Sequence, residues 1–296
     1  PILHPPQRPE LPARSVPATR ARMKFLDQSN RILTVAVIGD KDLTDKLVIE
    51  RFKGSDYLSR DFHYEVLLLS EDRDIALDDI QGRMMVVWLK LPNGKRRPFT
   101  GLVKFFEFVD ADMRGLCTYR AQMVPWTDYA TLRRNCRIHL NKMRHEQLAT
   151  VFKDYWPVAD WSWQVSGDER LHTMCVQFNE LDWNYINYRL EHDGTPYRFD
   201  HHDDGAKTGH TFTVFDTTRR AAPIDGDTPE VRFHPDLSTS VQQYAITKWR
   251  RHALWGHSTQ RVSSYDFKGA APMTQTAPSD DYACLLYTSP SPRDRG

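Results

Sequence analysis

No apolar run in the sequence approaches the ~20 residues that a helix needs to cross a bilayer, so a membrane-spanning helix is excluded and no membrane anchor of that kind is expected. Charge of one sign is also missing. The 40 Lys and Arg residues against 39 Asp and Glu leave a formal net charge of +1. Long-range attraction therefore selects neither an anionic surface nor nucleic acid, and no nucleic-acid partner is expected. Cysteine is sparse: Cys117, Cys136, Cys175 and Cys284 are widely spaced without a CxxC pair. That spacing argues against a zinc ribbon or a disulfide scaffold and fits a reduced compartment such as the cytoplasm. The patterns GxxxxGK[ST], GxGxxG, GxSxG and HExxH do not occur, so the phosphate cradles, nucleophile elbow and zinc-binding helix that they build are not signalled.

What is present is a globular composition, with 27% charged and 40% hydrophobic residues over 296 positions, enough for about two domains. Both ends fall outside that pattern. Residues 1–22 begin at Pro1, are rich in Pro and Arg, and have almost no periodic apolar residue, so they cannot build a core and are expected to be a disordered or non-native leader. They also lack the apolar centre of a secretory signal, and Met23 is the expected natural start. The stretch CLLYTSPSPRDRG, residues 284–296, reads as a translated adaptor or vector tail, which places the end of the native sequence near Ala283.

Tyr57 to Phe108 carries the densest structural signal. In FHYEVLLLS, the positions Phe62, Tyr64, Val66 and Leu68 alternate with the His63 and Glu65 side, as in a strand with one buried face. Pro92, Asn93 and Gly94 supply a turn that folds RMMVVWLKL back on RPFTGLVKFFEF. The three strands are expected to form a meander that opens a barrel. LCTYRAQMVP adds another antiparallel strand, with Cys117, Tyr119, Ala121 and Met123 on one side, and Pro125 marks a boundary.

Beyond it the periodicity changes. Leu148, Val151, Phe152 and Tyr155 recur at helical spacing in MRHEQLATVFKDYW, which Pro157 stops. Asn179 is expected to cap a second helix through Leu190, with Trp183, Ile186 and Leu190 on one face and Gly194 just past its end. WSWQVSG, TPYRF and HTFTVFD read as strands, the last two around a DDGAKTG turn. A further β-rich region begins near Val231.

The candidate reaction groups are weak. His201, His202, Asp203 and Asp204 are ligand types, but adjacent side chains on a strand point to opposite faces and do not converge on one ion, and a solvated hairpin tip is expected for them. Glu71 with Asp72 and Asp78 with Asp79 flank a loop and are expected to be solvated. His172 lies near Cys175 in sequence, yet a base must meet its nucleophile in space, and Cys175 sits in an apolar alternation expected to be core. The aromatics of WPVADWSW and DWNYINY offer a stacking surface for bases or sugars, but without a basic stripe core and interface packing is the better account. No catalytic, cofactor-binding or metal-ligating residue is assigned, no cofactor is expected, and the chain is not expected to be an enzyme.

The order LSRxFxYxVxLLSED, acidic loop, Gly, strand, LPxG and strand with an internal Gly resembles the start of the VgrG family, the spike proteins of type VI secretion systems. That family is similar to the hubs of contractile phage tails and to phage late control proteins. The resemblance continues through Tyr119 to Lys142, Cys175 to Phe199 and Gln260 to Pro272, and so covers most of the chain from Arg31. It implies an α+β, mainly β fold: an antiparallel β-barrel over residues 23–126, a small α+β domain over 127–220 and an incomplete second barrel over 228–283. It also implies a structural part, a homotrimeric collar that caps a tube of Hcp hexamers and carries a needle, a PAAR-type tip protein and effectors through parts absent from this sequence. Such a protein assembles in the bacterial cytoplasm and leaves by contractile injection without a signal peptide. A phage or prophage tail hub is the nearest alternative, and a carbohydrate-binding module or enzyme a distant one. Residues 23–283 alone are expected to be monomeric or poorly soluble, because half of the ring surface and the needle are missing.

Overall fold

The computed structural model describes residues 27–217, apart from 92, 114 and 204–207, and then 232–233, 245–251, 259–266 and 269–278. The expected leader and tail lie outside the described residues, and those up to 217 form one compact unit while those from 232 onward belong to another.

The first unit opens with β1 (Leu33–Val37), α1 (Lys41–Lys46), β2 (Val48–Ser55), β3 (His63–Ser70), α2 (Leu77–Ile80), β4 (Met84–Lys90), β5 (Arg96–Ala111) and β6 (Cys117–Val124). The six strands make one antiparallel sheet in the order β1-β4-β5-β6-β3-β2. Period-two alternation builds its core: Tyr64, Val66 and Leu68 pair across β3 and β6 with Met123, Ala121 and Tyr119, and all six are buried. Gly101 in β5 allows close approach, since a Cβ there would lie 2.9 Å from the Met123 Cβ and 3.2 Å from the Val124 carbonyl oxygen. Two register shifts in β5, at Val103/Phe105 and Phe108/Asp110, mark bulges of the kind that bend a strand.

The edge strands are clamped by side chains. Gln28 Nε2 donates to the carbonyls of Leu47 (2.8 Å) and Val35 (3.3 Å), its Oε1 accepts from the Val35 N–H (2.7 Å), and Arg31 Nη1 donates to the Ile49 carbonyl (3.1 Å). The curled sheet thus satisfies part of its open edge from within.

The expected meander is corrected at one step. Strand β3 pairs with β2 and β6 and is not a neighbour of β4 in the sheet. Ile75 and Ile80, in the connection that holds α2, are buried in the same core, which carries the chain across the sheet instead of turning it straight back. A turn through Asn93 and Gly94 does join β4 to β5, with Gly94 at φ 80°, while Pro92 lies outside the described residues.

A 3₁₀ turn (Trp126–Thr131) leads to β7 (Arg134–Lys142), α3 (Arg144–Phe152), a second 3₁₀ turn (Lys153–Tyr155), β8 (Trp161–Gln164), β9 (His172–Leu181), α4 (Asp182–His192), β10 (Tyr197–Asp203) and β11 (Thr208–Phe215). Strands β10, β11 and β8 form a mixed sheet, and β7 pairs with β9 as a separate antiparallel ribbon. The four residues at helical spacing around α3, Leu148, Val151, Phe152 and Tyr155, are all buried with Trp126, Ile186 and Phe212. Met143 N–H donates to the Glu146 carboxylate (2.7 Å), closing the helix start.

Asn179 does not cap α4. It remains in β9 at φ 46°, and Leu181 is the N-cap. The cause is the next residue: the Asp182 N–H donates to the Arg133 carbonyl (2.9 Å), so the ribbon register runs up to the helix. Trp183, Ile186 and Leu190 share the buried face as expected, and Gly194 follows at φ 64°. In the second unit, β12 (Arg232–Phe233) pairs with β13 (Ala245–Ile246), and β14 (Thr259–Asp266) forms a hairpin with β15 (Ala271–Pro278).

Candidate functional site

The strand β10 places His201 elsewhere than at a solvated tip. His201 is half-buried against Phe62, Tyr64 and Phe99, and both ring nitrogens are engaged. Nδ1 accepts from the Thr100 N–H (3.1 Å), which puts the proton on Nε2, 2.9 Å from the Tyr64 hydroxyl; that hydroxyl donates to Asp56 Oδ1 (2.5 Å). Burial lowers the imidazole to about 4. His202 points to the other face, 3.8 Å from the Asp160 carboxylate, and Asp203 accepts from Trp88 Nε1 (2.7 Å). Asp204 lies outside the described residues. The strand therefore separates the three described ligand types, and His201 ties β10 to β5 and β3 as a structural link.

Two further polar groups gave no sequence signal. His210 on β11 is buried; its Nε2 accepts from the Trp126 N–H (2.8 Å), and burial holds its pKa well below the usual histidine value. Asp61 accepts from the Thr127 hydroxyl (3.3 Å), and burial, reinforced by Asp128, raises its carboxyl to about 7.

The acidic dipeptides serve the loop around α2. Asp72 accepts from the Asp74 N–H (3.0 Å) and lies 3.2 Å from Lys46 Nζ, while Glu71 is half-buried and Asp78 and Asp79 are exposed in the first turn of α2. His172 is turned to Arg189 (3.0 Å) and Asp193 (3.6 Å), and Cys175 sits half-buried opposite His139 on the ribbon instead of in a core. Trp161 and Trp163 pack against the second core and Trp183 belongs to it, whereas Trp156 is 80% exposed and Tyr188 is also exposed. Trp156 lines a cleft of about 530 Å³ with Phe152, Lys153, Asp160 and Trp161. Among the described residues, no three His, Cys, Asp or Glu side chains gather as a metal ion requires.

Asp182 is fully buried at the start of α4. Its carboxylate accepts from Arg137 Nη1 (2.6 Å), Tyr155 OH (2.6 Å), Gln177 Nε2 (2.7 Å) and Asn135 Nδ2 (2.9 and 3.0 Å). Burial alone would raise its pKa, but these four donors outweigh that and hold it below the usual carboxylate value. One carboxylate thus fixes both strands of the ribbon to α4. The ribbon's inner face also stacks His139 on Tyr185 at 5.5 Å and 14°. Its outer face is apolar and open: Ile138 pairs with Val176 and Leu140 with Met174, all exposed, and Phe178 is 79% exposed. Contiguous exposed apolar patches are uncommon on monomeric proteins.

A profile of the family described as phage tail baseplate hub (GPD) matches residues 55–286. The type VI secretion system spike protein VgrG1a of Pseudomonas aeruginosa is 32% identical over 157 residues, 53% of this chain and 24% of that protein. VgrG1b of the same organism is 30% identical over 155 residues, 52% of this chain and 21% of that protein. The chain spans about a quarter of the length of the curated relatives it matches. The Escherichia coli c3393 protein, a type VI secretion component described as similar to the T4 tail proteins gp27 and gp5, aligns with a TM-score of 0.56 at 17% identity over 80% of this chain and 57% of its own. A tail protein from Neisseria meningitidis MC58 reaches 0.50 at 12% identity over 86% and 68%. At these identities the structural likeness concerns the fold, which is that of the phage tail hub proteins.

Proposed function

Since the chain belongs to the phage tail baseplate hub (GPD) family, we propose that it is hub material of a type VI secretion spike, a structural collar and not an enzyme. In this proposal residues 23–126 are the first barrel, 127–220 the α+β domain and 228–283 the opening of a second barrel. Three chains with two barrels each offer six similar faces to a sixfold tube of Hcp hexamers, a match that head-to-tail interfaces produce. The collar assembles in the cytoplasm and leaves by contraction. Needle, PAAR-type tip and effectors join through parts beyond this sequence. The observation that carries the proposal is the run of matches to spike proteins over half of the chain.

The second reading, a phage tail hub, is favoured by the likeness to the Neisseria tail protein. One binding experiment separates the two. A chimera in which residues 24–278 replace the matching part of VgrG1a is mixed with Hcp tubes and imaged. Spikes seated on tube ends are the expected result. A folded trimeric chimera that ignores Hcp tubes would support the phage reading instead.

A further inference from the structure

We propose that His201 and His210 form an acid-released latch: the two imidazoles hold the six-stranded sheet to the β10–β11–β8 sheet as hydrogen-bond acceptors, and proton uptake parts this seam while the six-stranded sheet stays folded. The latch lies within one chain and is independent of the collar reading. His201 and His210 are register partners on β10 and β11, with ring centroids 6.0 Å apart. Phe62, just before β3, covers both rings at 4.9 and 5.1 Å. Each ring takes one backbone N–H from across the seam: Thr100 of β5 donates to His201 Nδ1 (3.1 Å), and Trp126, just past β6, donates to His210 Nε2 (2.8 Å). A backbone N–H can only donate, so both acceptor nitrogens carry no proton. The remaining ring proton of His210 is then on Nδ1, which is buried without a hydrogen-bond partner among the described residues. Protonating either ring sets N–H against N–H and buries a charge. The oxygen of the Thr100 hydroxyl, 3.0 Å from His201 Nδ1, could accept a new proton, but the Thr100 N–H would still be left unpaired.

The neighbours do not offset that charge. Around His201, Asp56 behind the Tyr64 hydroxyl and Asp200 favour an imidazolium, Arg97 and His202 oppose it, and burial outweighs them all. Around His210 burial leads again, and His201 and His202 both oppose a second positive charge. Two carboxylates touch the residues beside it. Asp160 accepts from the Thr211 hydroxyl (2.7 Å) and lies 3.8 Å from His202, while Asp61 accepts from the Thr127 hydroxyl (3.3 Å). The signs differ. A ring held near 4 in the seam returns to its ordinary 6.5 when solvated, so His201 gains a proton on opening between those values, and His210 does the same. Asp61 is raised to about 7 in the fold and returns toward 3.8 when solvated, so it loses a proton on opening and works against the latch below pH 7.

The test is residue-resolved native-state hydrogen exchange at pH 6 and pH 5 on the full 296-residue chain carrying Asp61→Asn, which removes the opposing carboxyl. An opening that solvates both rings should become roughly fiftyfold more frequent over that unit, since each ring moves from near or below 4 to 6.5. Protection of the Thr100 and Trp126 amides should fall by that factor while the β3–β6 ladder keeps its own. His201→Asn with His210→Gln puts an amide oxygen in place of each acceptor nitrogen, and in that background protection of the two amides should stay flat between the two pH values. Each single variant should retain roughly a sevenfold response, which keeps the test decisive if the double variant does not fold. Four results would each overturn the latch: flat protection at Thr100 and Trp126 with both histidines present, an equal loss in the β3–β6 ladder, an acid response that survives the double variant, or an undiminished response in either single one.

Discussion

Asp182 is the residue whose loss should unfasten one element while leaving the six-stranded sheet intact. It is fully buried and spends its two oxygens on Arg137, Tyr155, Gln177 and Asn135. Asp182→Ala leaves a guanidinium and three neutral donors facing a void, and breaking a buried pair from one side costs about 3–5 kcal/mol. Asp182→Asn keeps the volume but turns an amide N–H₂ toward donors, so about 1–3 kcal/mol is expected. Against a typical total of about 5–15 kcal/mol, the Ala variant should melt far earlier in urea. Amide exchange should then localise the loss to β7, β9 and α4. The pH dependence carries a sign. The folded pKa lies below the ordinary aspartate value of 3.8, so the stabilisation is present above that pH and is lost as pH falls through the folded value. The gap between wild type and Asp182→Asn should therefore be full at pH 7 and shrink below pH 4. A loss under about 1 kcal/mol for Asp182→Ala at pH 7 would refute the keystone role, since it lies below the cost of even one unmade buried hydrogen bond.

Burial holds His201 near 4 against an unfolded value of 6.5, so the neutral ring's stabilisation is lost as pH falls between those values, up to about 3 kcal/mol. The stability gap between wild type and His201→Gln should narrow by that amount over the same range, measured by urea titration at each pH. Asp61 has the opposite sign. Its carboxyl is raised from 3.8 to about 7, so ionising it costs stability as pH rises through that window, and Asp61→Asn should gain roughly 1–3 kcal/mol at pH 8 and nothing near pH 3.5. Gly101→Ala should cost about 1–3 kcal/mol in thermal melts, because its Cβ would meet Met123 at 2.9 Å in a filled core.

The strand β6 and helix α3 were legible because alternation and helical spacing are local, and all eight of their diagnostic residues are buried: Cys117, Tyr119, Ala121, Met123, Leu148, Val151, Phe152 and Tyr155. Strand order was not, because the pairing of β3 with β6 depends on where Ile75 and Ile80 bury, a long-range choice that no window reveals. Strands β1 and β2 with α1 carry only a faint signal, in LTVAV, and the clamp by Gln28 needs the folded edges to exist. The polar groups divide in the same way. His201 reads as solvated from its place next to a turn, and only the packing of Phe62, Tyr64 and Thr100 around it makes it internal. The outer face of the ribbon was partly visible, since Ile138, Leu140, Met174 and Val176 alternate. Alternation states that two faces differ but not which one is covered.

The central claim, that this chain is hub material for a type VI spike, is tested most directly by tube release. A strain lacking its own spike is given the chimera carrying residues 24–278, and Hcp is measured in the medium. Hcp release restored by the chimera, but not by residues 23–283 alone, is the expected result. An abundant, folded and trimeric chimera that leaves the medium free of Hcp would contradict it.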